Sequence, residues 1–361
     1  MMIAFSDVFA DVTKQGTKLQ TSEYLASGKY PIIDQGQDDI AGYTDREDGL
    51  FTDVPAIIFG DHTRIVKYVD MPFFLGADGV KVLKATIPDV DYRYLYYAVS
   101  AVKIPNTGYN RHFKWLKEAQ ISLPDLSTQR RIADTLDKVS EGIGLCGRMM
   151  DELDLMVKAK FGEMFGDPVS NEREWNVETL NDVCTEIGDG LHGTPEYDDN
   201  GEYPFINGNN LINGAIEITP ATKKVNAEIY KKHYIDISAN ALLLSINGTL
   251  GKLAFYNGEK VMLGKSACYC NFKPEINRAF VYGVMKTEAF AGFLEKSATA
   301  STIKNVGLKA IRGYKLIMPP QALQMQFIEF SNQVDKSKLA VKQSLEKLET
   351  LKKSLMQEYL G

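Results

Sequence analysis

From residue 132 the chain places apolar side chains in steps of 4, 3, 4, 3, 4, 3 and 4: Ile132, Leu136, Val139, Ile143, Cys146, Met150, Leu153 and Val157. That spacing is the a/d seam of a coiled coil. Pro124 closes the strand-like run before it, because proline cannot donate to a ladder, and Ser127 or Thr128 offers an N-cap. A second seam follows Pro319-Pro320 near the end of the chain: Phe327, Val334, Val341, Leu345, Leu348, Leu355 and Tyr359, interrupted by Ser331, Lys338 and Lys352. Polar seam positions cost stability and fix register. Each predicted helix runs for about 38 residues, or roughly 57 Å at ~1.5 Å per residue. Matching seams allow the two helices to pack on each other; the alternative is that each packs only on its own domain. Gly142, Gly144 and Gly147 each cost about 1 kcal/mol relative to Ala, so a break or kink is expected near them.

The equivalence of the two seams extends along the chain. Residues 121–166 align with residues 316–361 at a constant offset of 195, pairing Pro124 with Pro319, Gln129 with Gln324 and Val139 with Val334. Further back, Phe5-Ser-Asp-Val8 resembles Leu180-Asn-Asp-Val183, and Tyr30-Pro-Ile-Ile33 resembles Tyr203-Pro-Phe-Ile206. The apolar run Pro55–Gly60 likewise resembles Asn240–Ser245. A period near 180 residues is a tandem duplication rather than a solenoid. The boundaries this predicts are a globular unit over 1–124, a helix over 125–166, a second unit over 167–319 and a second helix over 320–361.

Within each unit, short β-branched or apolar runs at 54–60, 64–69 and 80–87, and at 203–206, 241–246, 252–256 and 267–272, predict strands. Residues 92–102 and 279–294 predict one buried helix per copy. Each unit is therefore α+β, with polar loops between strands. In the first unit the loops carry Gln35, Gln37, His62, Arg64, Tyr109, Asn110, Arg111, His112 and Lys114. In the second they carry His192, Thr194, Asn207, Asn209, Asn210, Asn247, Lys252, Ser301, Lys304 and Asn305. Asn, Gln, Arg and Lys can read base edges, and Ser and Thr can hold phosphates. Taken one at a time, such loops also read as plain turns, since Asn-Gly and Asp-Gly are hairpin chemistry. Their recurrence in both copies favours a binding face.

Charge does not point to nucleic acid. The net charge is −6, and neither half is basic: residues 1–120 carry 13 Lys/Arg against 16 Asp/Glu, and residues 171–313 carry 15 against 17. DNA affinity leans on phosphate neutralisation, so a DNA-binding reading requires clustered cations or a partner that supplies much of the grip. Four cysteines (Cys146, Cys184, Cys268, Cys270) do not make a disulfide framework and fit a reducing compartment. No apolar run approaches the roughly 20 residues of a membrane span, and the start reads as no secretory signal.

No catalytic signature emerges. Gly258–Ser266 imitates a phosphate-binding loop with five residues between its glycines, where convergence of the backbone N–H groups requires four; Lys265 reads instead as a phosphate contact or a surface cation. No Gly-x-Ser-x-Gly elbow occurs, and Met318-Pro-Pro-Gln321 lacks the aromatic residue of an adenine-methyltransferase signature. Cys268-x-Cys270 has no second pair at zinc spacing, so no metal site is predicted, and two same-face strand cysteines explain it.

The duplicated plan resembles the specificity subunit of type I restriction-modification enzymes over essentially the whole chain. The motifs that carry the resemblance are Ile-x-Leu-Pro-x-Leu-x-x-Gln at 121–129 and its degenerate copy at 316–324, Gly188-Asp-Gly-Leu-His-Gly-Thr-Pro195, and Gly248-Thr-Leu-Gly-Lys252. Met318-Pro319 in place of Leu-Pro and the glycines of the first helix depart from the pattern. The resemblance implies two target-recognition domains of mixed sheet and loops, related by a pseudo-twofold and separated by two long antiparallel helices forming a coiled-coil-like spacer. It implies a non-catalytic chain that reads a bipartite double-stranded DNA site in a bacterial or archaeal cytoplasm. A ~57 Å spacer covers roughly 17 base pairs as an upper bound, at ~3.4 Å per step. Methyltransferase subunits, two by this analogy, would carry S-adenosylmethionine and methylate adenine, and restriction-translocase subunits would join them. The residues named above are the candidate DNA contacts. The competing readings are a tandem protein-binding scaffold with no DNA affinity, and a nuclease, for which no carboxylate cluster recurs in both halves.

Overall fold

The computed structural model describes residues 2–108 and 110–361. Two long helices dominate it, Leu126–Phe165 and Gln321–Leu360. The chain divides into two compact units, Met1–Met149 with Ala340–Gly361, and Met150–Leu339. Each unit thus takes one globular part, the near end of one long helix and the far end of the other.

The helix starts follow from capping rather than from the seam. Asp125, not Ser127 or Thr128, caps the first helix: its carboxylate accepts the backbone N–H and the hydroxyl of Thr128 at 3.0 and 2.9 Å. This satisfies donors that the first turn leaves without partners. The expected break at the glycines does not occur, and the helix runs unbroken through 142–147. At Gly142 a Cβ would sit 3.2 Å from the side chain of Leu348, so the missing side chain lets the second helix approach.

In both units the long helices pack on each other and on the globular part. In the first unit the buried Ile132 and Leu136 join a core that takes in Leu355, Met356, Tyr359 and Leu360, and Arg131 lies over the Tyr359 ring at 5.9 Å. In the second, the buried Phe161 meets Phe327 edge-on at 5.4 Å, and Asp154 pairs with Lys338 at 2.6 Å. Residue numbers rise along one helix as they fall along the other, so the pairing is antiparallel. Of the polar seam positions, Lys338 thereby gains a carboxylate, and Lys352 lies over the Tyr97 ring at 5.9 Å.

The globular parts repeat sheet for sheet. The first unit has a four-stranded antiparallel sheet in the order Phe9–Asp11, Val80–Ala85, Ala56–Gly60, Val66–Val69; the second has Cys184–Asp189, Ala267–Phe272, Ala241–Ser245, Leu253–Tyr256. A three-stranded sheet accompanies each, centred on Tyr30–Ile33 and on Tyr203–Ile206. Each centre strand pairs in parallel with a short strand, through Ile32↔Phe74 and Phe205↔Met262. Met2–Ala4 with Gln120–Ser122, and Asn176–Thr179 with Lys315–Met318, tie the start of each copy to its end. Ala56–Gly60 and Ala241–Ser245 are buried throughout, which is why their sequences are continuous apolar runs rather than alternating ones.

One expected element is two. The run 279–294 forms Arg278–Met285 and then Glu288–Ser297, separated because Thr287 leaves helical geometry to cap the second. The second unit also adds a hairpin, Leu211–Ile212 with Ala215–Ile216. Asn213 and Gly214 both take positive φ at its turn, as a two-residue hairpin with a type I′ turn requires.

A charged cluster fastens the first globular part to its helix. Arg93, on helix Tyr92–Ala101, reaches Asp91, Asp134 and Asp137 at 3.1, 2.8 and 2.9 Å. Tyr97 donates its hydroxyl to Asp137 at 2.8 Å. Burial and the adjacent carboxylate hold the Tyr97 phenol well above its ordinary range. At the base of both helices, Gln129 and Gln324 donate their side-chain amides to the carbonyls of Pro124 and Pro319 at 2.8 and 2.9 Å. The proline carbonyl that ends each strand is thereby satisfied by the helix that follows it.

Candidate nucleic-acid interface

In each unit polar loops meet at one edge of the sheets, three in the first and four in the second. In the first unit they are residues 34–38, residues 60–65 and residues 104–112. Gln35 joins the first two: its amide donates to the Asp78 carbonyl at 2.8 Å and accepts the His62 N–H at 3.1 Å. Thr63 donates its hydroxyl to the Gln35 carbonyl at 2.7 Å. Gly79, at φ +95°, would place a Cβ 2.6 Å from the Gln35 amide, so glycine is required for this approach. The second and third loops are joined at Asp61. Its carbonyl accepts the backbone N–H of His112 at 2.7 Å and lies 3.0 Å from the His112 Nδ1. Its carboxylate accepts the Phe113 N–H at 2.8 Å. His62 Nδ1 lies 3.2 Å from the Asn110 carbonyl, and Arg64 reaches the Ile104 carbonyl at 3.3 Å.

The second unit repeats the arrangement with four loops. Asn207 and Asn210 form a reciprocal cap on the turn Gly208–Asn210. Asn207 accepts the Ser266 hydroxyl at 3.0 Å, and Ser266 accepts the Gly208 N–H at 2.9 Å. Asn247 donates to the Asn305 side chain at 3.2 Å, and Gly248 N–H to the Lys304 carbonyl at 2.9 Å. Residues 189–194 lie alongside through Leu191 N–H to the Leu263 carbonyl at 2.8 Å and Lys265 N–H to the Leu191 carbonyl at 3.0 Å. His192 sits 2.8 Å from Asp189.

The candidates fall into two groups. Gln35, His62, Arg64, Asn110, Asn207, Asn210, Asn247 and Asn305 spend side-chain hydrogen bonds on holding the loops. Ser301 bonds within its own loop, to the Ile303 carbonyl at 2.7 Å, and Lys304 pairs with Glu295. Gln37, Arg111, Thr194 and Asn209 are exposed on the same loops, Lys114 is exposed on the short helix Phe113–Lys117 that follows one of them, and Lys252 is half-buried. His112 is fully buried, so in this structure it fastens the 60–65 loop from beneath the surface rather than presenting a side chain to a ligand. Tyr109 lies outside the described residues. Asp61, which sequence reading did not single out, is the buried hub of the first cluster. Lys265 joins the second as an exposed cation between two loops.

Among the described residues no group of three or more His, Cys, Asp or Glu side chains is placed to hold a metal ion. No helix among them is long and apolar enough to cross a membrane. The four cysteines are free and buried; Cys268 and Cys270 lie on the single strand Ala267–Phe272.

The fold is found in solved structures. A crystal structure of the type-I restriction-modification system S subunit from M. genitalium is 17% identical, with a TM-score of 0.59, covering 100% of this chain and 96% of that one. A structure described under complex assembly and conformational transition of the type I R-M system is 16% identical, with a TM-score of 0.56 and coverage of 100% and 97%. At these identities the likeness speaks for the fold. The family is fixed by the sequence itself: the model of the type I restriction modification DNA specificity domain matches residues 2–153 and again 172–351, one match for each copy of the duplication. The chain belongs to the type I restriction modification DNA specificity domain family.

Proposed function

We propose that each globular unit reads one half of a bipartite, asymmetric DNA site, with the exposed loop residues making the base and phosphate contacts. The observation that carries this reading is a backbone bond present in both copies. His112 N–H donates to the Asp61 carbonyl, and Val306 N–H donates to the Ile246 carbonyl at 2.9 Å. The scaffold that brings the loops together is the same in both units, while the side chains it presents differ. A pair of domains reading two different half-sites requires that combination.

The chain itself is non-catalytic in this reading. Methyltransferase subunits, two per complex, transfer the methyl group of S-adenosylmethionine to adenine, and restriction-translocase subunits join them in a bacterial or archaeal cytoplasm. The 40-residue length of the helices fixes the number of unread base pairs. Partner subunits supply much of the phosphate grip, which accounts for a DNA-recognition chain of net charge −6.

The test is co-expression with the methyltransferase subunit encoded beside the gene, with N6-methyladenine mapped across the host genome. A bipartite motif with a fixed gap, lost when this chain is deleted, supports the reading. Unchanged methylation in the deletion strain, with no co-purification of the two proteins, overturns it in favour of a protein-binding scaffold.

A further inference from the structure

Strand Val66–Val69 turns Lys67 and Val69 to one face, because alternate residues of a strand share a side. That face is the inner one. Lys67 is 5% exposed and stands opposite Ile58, which packs with Ile33, Val69 and Val82 in one core cluster. A lysine is almost never buried unless it is paired, and the partner here is a loop. The Lys67 ammonium donates to the Asp38 carbonyl at 2.5 Å and lies 3.5 Å from the Asp34 carboxylate. The same carboxylate oxygen accepts the Gly36 N–H at 2.7 Å. Gly76 makes room for it, since a Cβ there would sit 2.4 Å from the Asp34 Cβ. Residues 34–41 form no strand or helix. One buried cation therefore ties down both ends of the loop 34–38, and Gln37 is exposed between them.

The second copy makes this link with main chain instead. Ala254 stands opposite Leu243 as Lys67 stands opposite Ile58, and Asn207 follows Ile206 as Asp34 follows Ile33. There the hairpin turn at Gly214 lies against the edge strand Leu253–Tyr256. The Phe255 N–H donates to the Gly214 carbonyl at 2.9 Å, and the Gly214 N–H to the Leu253 carbonyl at 3.2 Å. A link of that kind does not depend on any one side chain. In the first unit the corresponding link from edge strand to loop is the Lys67 side chain, and a single substitution cuts it.

We propose that Lys67 is a positioning residue for sequence reading: it sets where Gln37 stands at the loop edge of the first unit, and so determines how sharply one base pair of one half-site is read. The proposal rests on the reading of that edge as a DNA contact. A glutamine can bond two atoms of an adenine edge at once, which requires its side chain to start from a fixed place. Without Lys67 the first half of the loop stays fastened, because Gln35 keeps its bonds to Asp78 and His62. The half that carries Gln37 loses its tie at Asp38. The effect is therefore confined to what Gln37 reads.

Lys67→Met keeps the stem of the side chain and removes the cation. Asp34→Asn, the residue the second copy carries at this place, weakens the pair from the other side and leaves the core untouched. Each chain is assembled with the methyltransferase subunit, and methylation is measured on duplexes substituted at one position of one half-site at a time. Lys67→Met is expected to lose about tenfold in discrimination at one position, the position that Gln37→Ala relaxes, and Asp34→Asn to relax the same position. The other positions and the other half-site are read as before. Lys67→Met combined with Gln37→Ala loses no more there than Gln37→Ala alone, as for two residues acting through one contact. Loss spread over a whole half-site in step with a lowered melting temperature overturns the proposal. So do additive losses in the double variant, and so does unchanged discrimination in a folded Lys67→Met complex. Amide hydrogen exchange in the free chain needs no DNA: Lys67→Met is expected to speed exchange across 36–41 and to leave 207–216 as it was. An unaltered complex without sequence preference counts against the reading of the loops as DNA contacts instead. The exchange measurement still decides whether Lys67 holds the loop, and unchanged protection across 36–41 overturns it.

Discussion

Asp61 and His112 hold each other below the surface of the first unit, with the Asp61 carbonyl 2.7 Å from the His112 backbone nitrogen and 3.0 Å from its Nδ1. The second unit makes the backbone bond between the buried Ile246 and Val306, whose apolar side chains add no hydrogen bond of their own. The polar pair is thus an elaboration of a shared joint. The Asp61 carboxylate adds a bond to Phe113 N–H and so fixes where the 104–112 loop ends and the next helix begins.

Asp61→Ala removes that acceptor and leaves a buried N–H unsatisfied, at a cost of about 1–3 kcal/mol. The expected outcome is a lower melting temperature and relaxed methylation at one half-site, with the other half-site read as before. Equal relaxation at both half-sites would show that the joint does not act on its own unit alone.

The glycines of the first long helix separate two effects. At Gly147 nothing lies within 4 Å of an added Cβ, so Gly147→Ala should stabilise the chain by about 1 kcal/mol through helix propensity alone. At Gly142 the same gain is opposed by the Leu348 side chain at 3.2 Å, and Gly142→Ala should give less. Chemical denaturation midpoints of the two variants compare them directly. A larger gain at Gly142 would mean that the helices do not pack there as described.

The seams were legible because a seven-residue period survives in the sequence whatever the helix packs against: Ile132, Leu136, Val139 and Cys146 are all buried. The unbroken course through the glycines was not, since it depends on Leu348, some two hundred residues away. The added helix Glu288–Ser297 was hidden inside one apolar run, although Lys286-Thr287-Glu288 carried a polar step and a capping threonine that mark a new start. The loops of the interface could be named from their Asn, Gln and Arg content. Which of those side chains hold the scaffold and which face outward is a tertiary matter, and His112 shows it best. A histidine between Arg111 and Phe113 reads as a loop residue, and only the fold buries it against Asp61.

Two helix starts should titrate. Hydrogen bonds from Thr128 hold the Asp125 carboxyl below its ordinary value, and hydrogen bonds from Thr179 do the same for Asp182. A carboxyl whose folded value is depressed contributes stability above its unfolded value and loses it as pH falls toward the folded one. The unaltered chain should therefore lose stability between about pH 5 and pH 3 more steeply than an Asp125→Asn, Asp182→Asn variant, which keeps side-chain caps that do not ionise. Parallel stability curves for the two proteins would show that these caps carry no titrating contribution.

The loop residues themselves divide into readers and grips, and the division is measurable. Arg111 is exposed on the 104–112 loop, where a guanidinium can reach a guanine edge bidentately. Lys114, one turn further on, is exposed, with its ammonium over the Trp115 ring at 4.8 Å. Arg111→Ala should cost about 1–3 kcal/mol against the preferred sequence and relax one position of one half-site. Asn209→Ala should do the same in the other half-site. Lys114→Gln, if Lys114 meets a phosphate, should weaken binding about equally for all sequences and reduce the slope of log K against log salt by about 1. Binding of the assembled complex to duplexes substituted in one half-site at a time, across a salt series, distinguishes these outcomes. A sequence-dependent loss for Lys114→Gln with an unchanged salt slope would move that residue from the backbone to the bases.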